Sequence, residues 1–250
     1  MKYFLFVLAF IVVAGCQSGE SYKSEESEKS GESDKSEKDG DAMGHEWTSL
    51  FDGTSMAQWR GYAQEDMPAG WVITDGAMFA SAPGSGMDIV TRDTYINFEL
   101  ELEWKVATGG NSGIMWHVDE SAGGTPWMTG PEYQLLDDAA FNDGVIGKNS
   151  AASNYDVQAP SESVNKPAGE WNKTRIVVDG NWVEHWLNDV KVVEYEKGSE
   201  AHKAAVATSK WVDYPTYGTT STGHIAFQGD HGEVWFKDIR IRRIDKPASE

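Results

Sequence analysis

The sequence predicts an all-β domain, a sandwich of two antiparallel sheets with at most a short helix. Three observations lead there. Apolar and polar residues alternate at period two over several stretches, turn-forming pairs separate those stretches, and no strand–helix–strand rhythm occurs.

Alternation is clearest in Phe98-Glu99-Leu100-Glu101-Leu102-Glu103-Trp104-Lys105-Val106, where one face suits a core and the other solvent. Gly109 to Gly113 then turns the chain into Ile114 to Val118, which reads as the return arm of a hairpin. Thr174 to Val178, Val183 to Leu187 and Val190 to Tyr195 read as a three-strand meander. Asp179-Gly180-Asn181 and Asn188-Asp189 supply the positive φ that its tight turns need. His224 to Gln228 and Glu233 to Arg243 complete the strands. Ser199 to Trp211, with a Ser cap and good helix formers, is the single helical stretch.

What precedes the domain is read differently. Residues 1–15 carry Lys2 and then an apolar run, Phe4 to Val13, too short to span a bilayer, as in a signal peptide. Val13-Ala14-Gly15-Cys16 puts small residues before a cysteine, the pattern that a lipoprotein signal peptidase cleaves. Lipid on Cys16 would then anchor the mature chain to a membrane. Residues 16–45 alternate Ser, Glu, Lys, Asp and Gly and form a flexible acidic tether. Residues 46–245 are the sandwich and 246–250 a tail. The expected location is that of an exported lipoprotein at the outer membrane or cell surface, since Gln17 rather than Asp follows Cys16.

Cys16 is the only cysteine, so the domain can form no internal disulfide and depends on its core. A formal net charge of -19 argues against nucleic acid as a partner. Eleven Trp suit either a sandwich core or sugar-stacking surfaces, and composition does not separate the two.

Several blocks, in order, resemble the 3-keto-disaccharide hydrolase family. They are Ser49-Leu50-Phe51-Asp52-Gly53 with Trp59, Gly109-Gly110-Asn111-Ser112-Gly113, Glu132 to Asp138, the run from Lys166 to Glu196, SKWVDYPTYG from Ser209, and GHIAFQGDHGEVWFKDIRIR from Gly223. The likeness extends from about Glu46 to Ile244. Asp189 departs from it, standing where Gly is usual, and Ala151 to Tyr155 match only loosely. The resemblance implies a concanavalin-like jelly roll with a carbohydrate site on one face, and activity on sugars oxidised at C3.

A C3 ketone acidifies the C2 proton, because the resulting carbanion delocalises as an enolate. The C1 substituent can then leave by β-elimination, and hydration of the glucal completes glycosidic cleavage. Such a site needs a base near C2, a donor or metal at the C3 oxygen and an acid at the glycosidic oxygen.

His185 is the first candidate base, because imidazole titrates near neutrality; the alternative is a core histidine, since it shares a face with Val183 and Leu187. Glu132 and Gln134 lie on one strand face and point together into a site or into solvent. Asp137 and Asp138 end that strand and are ligands or turn formers. Gln228, Asp230 and His231 lie in a Gly-flanked loop that allows close approach to a ligand. Asn111 is a candidate hydroxyl partner or a turn residue, and Trp116 a stacking wall or a core residue. Glu132, His185 and His231 are thus the expected catalytic groups, with Asn111, Trp116, Gln134, Asp137, Gln228 and Asp230 expected to bind substrate.

No local metal motif is present, but Glu132, Asp137, His185 or His231 could assemble a divalent cation site across strands. The expected partner is a 3-keto-glycoside. The alternatives are a non-catalytic, lectin-like surface module and a structural adhesion domain.

Overall fold

The computed structural model describes residues 46–81 and 87–244. The expected signal peptide, lipidated Cys16, tether and tail lie outside the described residues.

In chain order the strands are β1 (Thr48–Phe51), β2 (Trp59–Gly61), β3 (Trp71–Thr74), β4 (Ala77–Ala80), β5 (Ile89–Thr91), β6 (Phe98–Val106), β7 (Asn111–Val118), β8 (Glu132–Leu136), β9 (Asn172–Asp179), β10 (Trp182–Leu187), β11 (Val190–Glu196), β12 (His224–Phe227) and β13 (Val234–Arg243). Two helices, α1 (Asp138–Phe141) and α2 (Glu200–Ala207), accompany them. An eight-stranded sheet runs β11-β10-β9-β6-β13-β4-β3, with β1 also on β13, and a five-stranded sheet runs β2-β5-β12-β7-β8. The architecture is the antiparallel, concanavalin-like sandwich that the sequence predicts.

The core lies between the sheets. Phe98, Leu100, Trp104, Ile176 and Phe236 of the larger sheet meet Ile114, Trp116, Tyr133, Leu135 and Phe227 of the smaller. Removal of these large side chains from water is the dominant favourable term, at roughly 1.5–3 kcal/mol for each fully buried side chain. The Glu99, Glu101 and Glu103 side of β6 faces outward, where Arg175, Arg240 and Lys237 pair with these residues in turn.

The meander forms in the expected register, with His185 opposite Ile176 on β9 and Val193 on β11. Asn188 and Asp189 both take positive φ, 49° and 66°, so the Asp departs from the family's usual Gly without leaving the left-handed turn. Ser199 caps α2 by accepting from the His202 N–H at 3.1 Å. That helix stops at Ala207, short of the expected Trp211, and a separate 3₁₀ turn covers Lys210–Asp213.

The expected hairpin between β6 and β7 does not form, since the two strands belong to different sheets. Turn residues encode a reversal but not a partner, and each strand finds better burial beside strands distant in sequence. Ala107 to Gly110 instead carries the chain across the sandwich. At Gly110 a Cβ would come within 2.7 Å of the Val106 side chain, so the crossing is too tight for a larger residue. Asn111, Ser112 and Gly113, expected in the turn, become the first residues of β7.

Candidate functional site

Alternation along β8 decides which side chains reach the outer face of the smaller sheet. Tyr133 and Leu135 enter the core, so Glu132 and Gln134 point the other way, beside Met115 and Gly113 of β7. The same parity brings Asn111 to that face. Just past the end of β12, Gln228 holds its place by donating its backbone N–H to Gly113 O at 3.0 Å.

These groups line a cleft of about 380 Å³ with His231, Trp127, Tyr155, Lys210, Asp213 and Tyr214. Five of the sequence-predicted site residues are therefore gathered there: Asn111, Glu132, Gln134, Gln228 and His231. Asp230 stands behind His231, bonded to its Nδ1.

Glu132 is only 4% exposed, and burial pushes its carboxyl up to about 8 despite the opposing Lys210 charge. Its side chain folds over Gly113. A Cβ at that glycine would collide with Glu132 Oε1 and lie 2.7 Å from its Cδ, so the bare backbone makes room for the carboxyl. The Lys210 ammonium is held over two rings, 3.9 Å from the Tyr155 centroid and 4.3 Å from that of Trp211. Burial lowers its pKa, while Glu132 and Asp156 pull it back up. Asn111 Oδ1 and Gln134 Oε1 are buried without a partner among the described residues, two acceptors whose hydrogen-bonding capacity the fold leaves unused. A carboxyl, a cation, amide acceptors and aromatic walls thus converge, as recognition of a polar ring requires.

The other expected residues lie elsewhere. His185 is fully buried between the sheets, its Nδ1 2.9 Å from Ala152 O and its ring 4.9 Å from Tyr133 and 5.3 Å from Trp116. Burial depresses its pKa to about 4, so it is a neutral core residue, out of reach of the cleft. Trp116, 1% exposed, is a core side chain for the same reason of parity. Asp137 accepts from the Gly109 N–H at 2.9 Å, and Asp138 from the Ala151 N–H at 3.1 Å, so both fasten loops. The set Glu132, Asp137, His185 and His231 is therefore not gathered. No cluster of three or more metal-ligating side chains occurs among the described residues.

Sequence reasoning missed half of the cleft. Trp127, Tyr155, Lys210, Asp213 and Tyr214 come from loops and 3₁₀ turns, where no periodicity marks direction. The SKWVDYPTYG block held three of them and was the available signal. Asp88 was also missed. Its carboxyl, raised to about 6 by burial and by Asp230, accepts from the Gly229 N–H at 3.3 Å and steadies the loop that carries His231.

Comparison with known proteins places the chain in a family. The 3-keto-alpha-glucoside-1,2-lyase-like domain family matches residues 46–242. A 3-keto-disaccharide hydrolase of Bacteroides thetaiotaomicron is 34% identical over 227 residues, covering 79% of this chain and 78% of that protein. A crystal structure from Parabacteroides distasonis, assigned as a glycosyl hydrolase, superposes with a TM-score of 0.73 at 33% identity, over 80% of this chain and 94% of its own. A galectin-like protein of unknown function from Bacillus subtilis, at 10% identity and a TM-score of 0.52, covers 82% of this chain and 98% of its own and shares the fold alone. The chain belongs to the 3-keto-alpha-glucoside-1,2-lyase-like family of glycoside-cleaving enzymes.

Proposed function

We propose that the cleft cleaves 3-keto-disaccharides by elimination and hydration, with Glu132 as the base. The observation that carries this reading is a buried carboxyl, raised to about 8, under the influence of an ammonium in an aromatic-walled cleft. A base with a pKa near the working pH is well matched to taking a proton from carbon. Glu132 removes the C2 proton. Lys210 stabilises the oxyanion that forms at C3, and low local polarity strengthens that interaction. His231, oriented by Asp230, protonates the departing glycosidic oxygen. After the proton on Glu132 has exchanged with solvent, water adds at C1 and gives a proton to His231 while Glu132 protonates C2, so both groups are regenerated. Elimination followed by hydration accounts both for the lyase in the family's description and for the hydrolase in the relative's name.

The test is to incubate the purified protein with a 3-keto-disaccharide in deuterium oxide. Release of 3-keto-glucose carrying deuterium at C2 is expected. Product without deuterium would overturn the elimination route, and binding without product would leave the lectin-like reading.

We further propose that the chain is exported and held on a membrane by lipid at Cys16, on the strength of the Val13-Ala14-Gly15-Cys16 sequence and the apolar run before it. Radiolabelled palmitate should enter the wild-type chain and not Cys16→Ala. Equal labelling of the two would refute it.

A further inference from the structure

We propose that a second cavity, backing onto the Trp211–Tyr214 wall of the cleft, binds a small organic carboxylate. Its volume is about 560 Å³, and Lys197, His202 and Lys203 line it together with Trp211, Tyr214 and Tyr217. No carboxylate among the described residues lines it, although acidic residues outnumber basic ones in this chain by 40 to 21.

Lys197 is the central observation. Its Nζ donates to Thr220 O at 2.7 Å, which uses one of three N–H bonds, and it makes no ion pair with any described residue. Burial alone acts on its pKa, downward, with no nearby carboxylate to offset it. An ammonium partly withdrawn from water without a countercharge pays part of the cost of burying a charge, and a bound anion would offset it. His202 contributes a neutral ring to the wall. Its Nδ1 accepts from the Gly198 N–H at 3.3 Å, which leaves the proton on Nε2, and Nε2 has no partner among the described residues. Among the described residues Lys203 pairs only with exposed Glu200, a contact weak enough to exchange for a ligand.

Apart from Asn181 and Thr219, the remaining walls are apolar or aromatic side chains and glycine backbone, with Val206 and Pro215 among them, so the ligand combines one negative charge with a largely apolar body. A phosphate dianion would find too few donors and too much carbon. Tyr214 lines both cavities, and Trp211 carries Lys210 on its ring, so an occupant here touches the back of the catalytic cleft.

The test is a titration of the full chain in detergent with benzoate, and separately with benzamide, followed by tryptophan fluorescence. Saturable benzoate binding is expected, at least tenfold tighter than benzamide. Lys197→Met should abolish that preference without changing turnover of a 3-keto-disaccharide in the absence of benzoate, and Lys197→Arg should retain it. Lys210→Met should leave benzoate binding intact. The proposal is overturned by absence of saturation, by equal binding of benzamide, or by loss of binding in Lys210→Met with retention in Lys197→Met. If Lys197→Met fails to fold, Lys203→Ala provides the same comparison, with weaker binding expected and unchanged affinity counting against the site.

Discussion

The two faces of β8 carry opposite lessons about buried ionisable groups. On the inner face, the Tyr133 ring packs against His185; on the outer face, Glu132 looks into the cleft. Burial perturbs both, lowering His185 to about 4 and raising Glu132 to about 8. Only one of them has a ligand-sized space in front of it. A shifted pKa therefore marks burial, and function requires burial together with access.

The strongest challenge to this contrast is Glu132→Gln. Turnover should fall about 10³-fold, within the range for loss of a general base. Steady-state assay of the folded variant checks this, and activity near wild type would remove Glu132 from the mechanism.

Gly113→Ala comes next, since the added methyl must displace the carboxyl. A shift of about 1 Å costs on the order of 10²-fold. The rising limb of the pH–rate profile, expected near 8 in the wild type, should also move down as Glu132 is pushed toward water. In a Glu132→Gln background the same methyl should have little further effect on rate, a non-additivity that simple destabilisation would not produce.

Stability against pH separates the two faces again. Glu132 binds its proton more tightly folded than unfolded, so stability falls as pH rises from the ordinary Glu range to about 8. His185 behaves oppositely, and its contribution is lost as pH falls from the ordinary His range toward 4. Between about 6.5 and 8 the Glu132 effect acts without that opposition. Glu132→Gln should accordingly raise Tm at pH 8 relative to wild type, by an amount equivalent to a few kcal/mol at most. Thermal scans across this range decide it, and a lower Tm at pH 8 would contradict the buried carboxyl.

The smallest effect on catalysis is expected from His185→Leu. It leaves Ala152 O without its partner, at a cost of about 1–3 kcal/mol. Denaturant titration should detect that loss, while kcat per folded molecule stays within about threefold, since no cleft contact changes. A large fall in kcat would restore His185 as a catalytic candidate.

How much was legible follows from what each residue's neighbours encode. The meander was readable because its turns demand positive φ and its strands alternate, both local properties. The crossing at Ala107 to Gly110 was not, because choice of sheet depends on partners far along the chain. The same division runs through the cleft. Glu132 and Gln134 were visible as polar groups at one parity of a strand, and Gln228 and His231 as polar groups beside Gly229 and Gly232. Lys210 and Tyr214 lie on irregular backbone whose direction only the packed structure fixes. Parity also allowed a core reading for His185 from Val183 and Leu187, and the structure selects it.

The crossing has a dynamic consequence. It delivers the chain directly into β7, an interior strand hydrogen-bonded to β12 on one side and β8 on the other. Many catalytic surfaces hang on loops that open locally at little free-energy cost, but Asn111 and Gly113 can detach only if the smaller sheet itself comes apart. Their amides should therefore exchange with solvent at rates governed by global unfolding. The loop-borne half of the site, around Trp127 and Lys210, can fluctuate more freely. One wall of the cleft is then as persistent as the fold, and the other is where substrate entry and product exit are timed.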